Sequence, residues 1–159
     1  DDSARVAEWM QELQTNGFYT VPKEYLNIIR GTFFGAWVDE VETAETINRT
    51  FKDRHYLIDP HTAVALRALE RYRLLTSDDT YSIILSTANP YKFSNSVLAA
   101  LGKNLPVDTD LFASVRELER FTGVKIPAGL AALEYKEEKF KDVISKEEMA
   151  GAVLRSLDL

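Results

Sequence analysis

The residues best suited to chemistry lie where two short apolar runs give way to polar groups. Tyr56-Leu57-Ile58 leads into Asp59-Pro60-His61-Thr62, where a carboxylate can cap a helix and proline suits its first position. Tyr81 to Leu85 leads into Ser86-Thr87-Ala88-Asn89-Pro90, two hydroxyls followed by a turn. In an open α/β sheet, ligands lie beyond the carboxyl ends of the strands, so Asp59, Ser86 and Thr87 are candidates for ligand contact. Each has an ordinary structural role as well: Asp59 as a helix cap, Thr87 as a turn residue bonding its own backbone.

Other chemistry is sparse. There is no P-loop, no G-x-G-x-x-G, no G-x-S-x-G and no H-E-x-x-H. His55 and His61 lack metal-like spacing with carboxylates and read as a surface residue and a helix-turn residue. Glu134 to Asp142 reads as a solvated segment, with Glu137 and Lys141 as an i,i+4 pair. Cysteine is absent, which excludes disulfides, thiolate metal sites and a cysteine nucleophile. A net charge of −6 disfavours phosphate backbones, so nucleic acid is not an expected partner. The apolar runs are too short to cross a membrane, and no basic, apolar leader opens the sequence, so the expected location is cytoplasmic. The opening Asp1-Asp2-Ser3 lacks Met, and the true chain is expected to start earlier.

Mixed patterns position these groups. Apolar residues spaced three and four apart predict helices over Asp2–Gln14, Lys23–Phe33 and Asp39 to about Lys52, and another from Asp59-Pro60 through Tyr72. Further helices are predicted over Phe93–Leu101, Asp110–Phe121 and Met149–Leu157, the last behind a Ser145-x-x-Glu148 capping box. Tyr81–Thr87 reads as a strand covered on both faces, with weaker extended pieces at Phe18–Val21, Ala36–Val38 and Tyr56–Ile58. The alternation predicts an α/β class: a partial, mainly parallel sheet with many covering helices. The helices outnumber the sheet they should cover, which suggests part of a larger sheet. No internal domain boundary is apparent, and residues 103–159 read as a helical C-terminal extension. A piece of a larger sheet would leave apolar surface around Tyr81 to Leu85, or self-associate to hide it.

The LIDPHTAVA stretch (Leu57 to Ala65) and the LSTANPYKF stretch (Leu85 to Phe93), in this order and spacing, resemble two late motifs of threonine synthases, a family of pyridoxal-phosphate enzymes. Trp37 to Ile47, WVDEVETAETI, resembles that family's acidic helix start. The likeness runs over nearly the whole chain and is best from Gly35 to Phe93. It implies a C-terminal portion of a fold-type-II enzyme that converts O-phospho-L-homoserine and water to L-threonine and phosphate. The Schiff-base lysine and the loop that holds the cofactor phosphate would lie upstream, so the upstream portion of the same enzyme is the implied partner and the piece alone is expected to be inactive. Lys92 is not to be mistaken for the cofactor lysine.

The resemblance implies that Thr87, with Ser86 as second choice, meets the pyridine nitrogen of pyridoxal 5'-phosphate, and that Asp59 lies behind this contact. A hydroxyl can bond that nitrogen without forcing a full proton onto it, whereas a carboxylate would favour the stronger, protonated electron sink. Asn89 departs from the His common at its position in the family; it can hydrogen-bond but cannot titrate near neutrality. Two other readings stay open: a sister fold-type-II lyase acting on another phosphorylated amino acid, and a non-catalytic α/β interaction or regulatory module.

Overall fold

Aspartate side-chain caps set four of the helix starts among the described residues. In the computed structural model, which describes residues 2–139 and 141–157, Asp2 caps α1 (Ser3–Asn16), Asp39 caps α3 (Glu40–Arg54), Asp59 caps α4 (Pro60–Thr76) and Asp110 caps α6 (Leu111–Thr122). Helix α2 (Lys23–Thr32) follows Pro22, and α5 (Ser94–Ala100) follows a 3₁₀ turn over Pro90–Phe93. Two short helices, α7 (Ala128–Ala131) and α8 (Met149–Ser156), complete the series. Left-handed Gly17 and Gly123 end α1 and α6, a conformation that costs glycine nothing.

The expected parallel sheet is not there: among the described residues there is no strand. Tyr81–Thr87 has strand composition but no neighbouring segment to pair with, and a ladder needs two backbones. Tyr81, Ile83 and Leu85 are 104%, 91% and 75% exposed, so the run expected to be covered on both faces is uncovered on one. Tyr56–Ile58 serves as a link whose Leu57 and Ile58 are buried at the entry to α4. Phe18–Val21 and Ala36–Val38 are connections between helices.

The chain divides into two compact units, 1–105 and 106–159. In the first, α3 packs on α4 and α5, and Ile47, Ala63, Val97 and Leu98 are buried. Asn48 Nδ2 donates to the Ala100 carbonyl at 2.8 Å, satisfying the end of α5. The buried threonines of α3 are paired too: Thr43, Thr46 and Thr50 each donate to the carbonyl four residues earlier, at 2.7 Å. In the second unit, Ser114, Val115 and Leu118 form the buried stripe of α6. The predicted box between Ser145 and Glu148 forms reciprocally, at 2.9 and 3.3 Å, and closes the turn that precedes α8.

Candidate functional site

Asp59 and Ser86, read as candidates from two separate stretches, are joined through a third residue. The Asp59 side chain is fully buried at the start of α4. Its Oδ1 accepts from the His61 backbone N–H and from His61 Nδ1, each at 2.9 Å. Its Oδ2 accepts from the Thr62 hydroxyl. Thr62 Oγ1 in turn stands 3.0 Å from Ser86 Oγ. Burial pushes the Asp59 carboxyl toward the neutral form, but the donors from Thr62 and His61 outweigh it and hold its pKa below the ordinary value.

That order of groups fixes the proton direction. An ionised carboxylate only accepts, and a threonine hydroxyl carries one proton. Thr62 spends its proton on Asp59, so the Ser86–Thr62 bond must be donated by Ser86. Ser86 therefore has lone pairs to offer but no spare proton.

Thr87 is placed differently. It is exposed, and its hydroxyl makes no hydrogen bond among the described residues. It is neither sealed in hydrocarbon nor bonded to its own backbone, so its proton is available to an outside acceptor. Ser86 lines a cleft of about 360 Å³ with Ile84, Thr62 and Leu66, and Thr87 is not among the lining residues. Asp59 is tied to the helix cap and reaches this region only through Thr62. Thr62 was not singled out in the sequence; its position three residues after a capping aspartate was the available signal.

The neighbouring candidates have local roles. Asn89 Oδ1 accepts from the Tyr91 N–H at 3.0 Å and caps the 3₁₀ turn, which a neutral amide does as well as an imidazole. Lys92 is exposed within that turn. His55 is an exposed left-handed C-cap of α3 with φ of 51°. The His61 ring lies 5.0 Å from that of Phe93. No group of three or more metal-ligating side chains occurs among the described residues, and no helix there is long and apolar enough to cross a membrane.

A charged network joins α3 to α4. Arg71 Nη2 reaches both Glu42 oxygens, at 2.7 and 2.6 Å, and Arg67 Nη2 meets Glu42 Oε1 at 3.2 Å. Arg71 foremost, with Arg67, holds the Glu42 carboxyl below its ordinary pKa. The acidic start of α3 thus does more than suit the helix dipole: Glu42 turns away from its own cap and braces the next helix. Arg71 also bonds the Trp37 carbonyl and lies 5.6 Å from the centre of that ring.

A family model described as threonine synthase, C-terminal, matches residues 62–153, more than half of the chain. The chain belongs to the threonine synthase family, to its C-terminal region. Threonine synthase of Saccharomyces cerevisiae is 35% identical over 127 residues, which is 76% of this chain and 24% of that protein. The Schizosaccharomyces pombe enzyme is 41% identical over 100 residues, 60% of this chain and 19% of its own length. Threonine synthase of Escherichia coli is 39% identical over 98 residues, 62% of this chain and 22% of its length. A crystal structure of pyridoxal-phosphate-bound threonine synthase from Brucella melitensis superposes with a TM-score of 0.66 at 26% identity, over 98% of this chain and 29% of that one. The chain thus spans about a quarter of the length of these relatives.

Proposed function

We propose that this chain is the C-terminal part of a cytoplasmic threonine synthase, converting O-phospho-L-homoserine and water to L-threonine and phosphate with pyridoxal 5'-phosphate. The family match over residues 62–153 carries this reading. The lysine that holds the cofactor and the loop that holds its phosphate belong to the upstream portion of the same enzyme, so these residues alone do not turn over substrate. Residues 103–159 form the helical C-terminal extension of the whole.

The donor set fits the cofactor ring. Pyridoxal phosphate supplies the electron sink for the reaction. Thr87, exposed and with an uncommitted proton, would donate to the pyridine nitrogen. Ser86 cannot take that part while its proton points at Thr62. Asp59 acts at one remove, by orienting Thr62. A neutral hydroxyl there would hydrogen-bond the ring nitrogen without fixing a full proton on it, which would keep the sink moderate. The uncovered side chains of Tyr81, Ile83 and Leu85 support an upstream portion that packs over this segment.

The test is an assay of the complete protein encoded by the gene on O-phospho-L-homoserine, with phosphate and threonine measured together. Equal release of both is the expected result. The same assay separates this reading from a sister fold-type-II lyase acting on another phosphorylated amino acid. Phosphate released without threonine assigns the chain to that sister activity, and no phosphate at all refutes the proposal.

A further inference from the structure

Two residues share the Asp59 carboxylate, one on each oxygen. Oδ2 takes the Thr62 hydroxyl, and the contacts run on to Ser86, beside Thr87. Oδ1 takes His61, through its backbone N–H and its ring Nδ1, each at 2.9 Å. The backbone bond serves the cap of α4; the ring bond does not, and the proposed cofactor contact does not use it either.

The ring bond fixes where the imidazole proton sits. An ionised carboxylate only accepts, so the neutral ring carries its proton on Nδ1 and its lone pair on Nε2. Any group that meets Nε2, from substrate or from the upstream portion, must therefore bring a proton. When Nε2 takes that proton, the imidazolium faces a fully buried carboxylate 2.9 Å away, an anion already in place. The Phe93 ring, 5.0 Å from the imidazole and tilted 59° to it, borders the ring on the side of the 3₁₀ turn. A histidine whose tautomer and orientation are set by a buried carboxylate is the arrangement that general-base chemistry uses.

We infer that His61 is the general base for the water that enters the substrate, with Asp59 as the positioning residue that fixes its tautomer. This rests on the threonine synthase reading, in which a water bonds a substrate carbon and phosphate departs. In that step the water O–H bond breaks and its proton goes to Nε2. The oxygen keeps the electron pair and forms the new bond to carbon. The imidazolium then gives the proton to solvent, which returns the ring to its starting tautomer. Phosphate departure consumes no water, so loss of this base should separate the two products.

Asparagine at position 61 tells this role from a structural one: its Nδ2 can replace ring Nδ1 as donor to Asp59, while nothing replaces Nε2. In a single turnover of the complete gene product, His61→Asn should release phosphate as the parent does and form threonine on the order of hundredfold more slowly. His61→Gln, which gives up the Asp59 bond, should lose threonine formation as well. Threonine formed by His61→Asn within about twofold of the parent rate, or phosphate and threonine slowed together, overturns the inference. A second measurement needs no turnover. Diethyl pyrocarbonate acylates an unprotonated imidazole nitrogen, and peptide mapping of the folded, cofactor-free gene product should find His61 modified. An unmodified His61 means that a donor from the upstream portion already occupies Nε2, which also overturns the inference. A parent that releases no phosphate refutes the threonine synthase reading and the base with it, whereas a parent that makes threonine with an indifferent His61 refutes the base alone.

Discussion

Replacing Thr62 with valine keeps the side-chain shape and removes one hydroxyl. Asp59 Oδ2, fully buried, then loses its donor from Thr62. A hydrogen bond to a charged group contributes about 1.5–3 kcal/mol, and Asp59 keeps its two bonds from His61, which places the loss below the top of that range. We take about 2 kcal/mol for Thr62→Val. For a unit the size of residues 1–105, each kcal/mol moves the midpoint by about 4–8 °C, so its melting temperature should fall by roughly 8–16 °C. The effect must depend on pH in one direction. The bonds from Thr62 and His61 hold the Asp59 pKa low in the folded state, so their stabilisation is complete above the unfolded value, about 3.9, and is lost as pH falls through the folded value. The gap between parent and Thr62→Val should therefore be full at neutral pH and close in acid. Thermal melts followed by circular dichroism from neutral pH into the acid range measure it. A midpoint within about 2 °C of the parent at neutral pH, or a gap that stays constant into acid, refutes the assignment of Thr62 as the carboxylate's donor.

Asp59→Asn should be milder than Asp59→Ala, because asparagine still caps a helix; the alanine variant should lose about 1–2 kcal/mol in urea unfolding. Leu98→Ala removes a side chain with no exposed surface and should cost about 2–5 kcal/mol, read from the same transition. Asp78 is held down to about 2 by donors from Thr80 and then Tyr72, so its stabilisation is present above the ordinary carboxylate pKa and is lost as pH falls toward 2. A carbon-13 titration of its carboxyl that gives an ordinary value contradicts the turn geometry. Glu42→Gln should lower the melting temperature more at low salt than at high salt, because Arg67 and Arg71 lose a partly exposed partner. Equal losses at both ionic strengths count against an ionic brace.

Helices were legible wherever a capping side chain and a three-four apolar spacing agreed, as at Asp39, Asp59-Pro60 and Asp110. The sheet was misread because composition registers what a segment would do if it had a partner. Ile83-Ile84-Leu85 is as apolar as a central strand, yet a ladder is a property of two segments, and the second is not among the described residues. The candidate site was legible in its ends and not in its middle. Asp59 and Ser86 stood out at the tips of apolar runs, while Thr62 resembled any helix residue until it was found between them. Asn89 shows the opposite case: its role as a turn cap follows from Asn-Pro alone.

The central claim is that the Thr87 hydroxyl donates to the ring nitrogen of pyridoxal phosphate. Equilibrium dialysis of the cofactor against the complete gene product tests it, with Thr87→Ser and Thr87→Val beside the parent. The serine variant should bind as the parent does, and the valine variant on the order of tenfold more weakly, the equivalent of about 1.4 kcal/mol for one lost hydrogen bond. Valine binding as tightly as threonine would contradict the account.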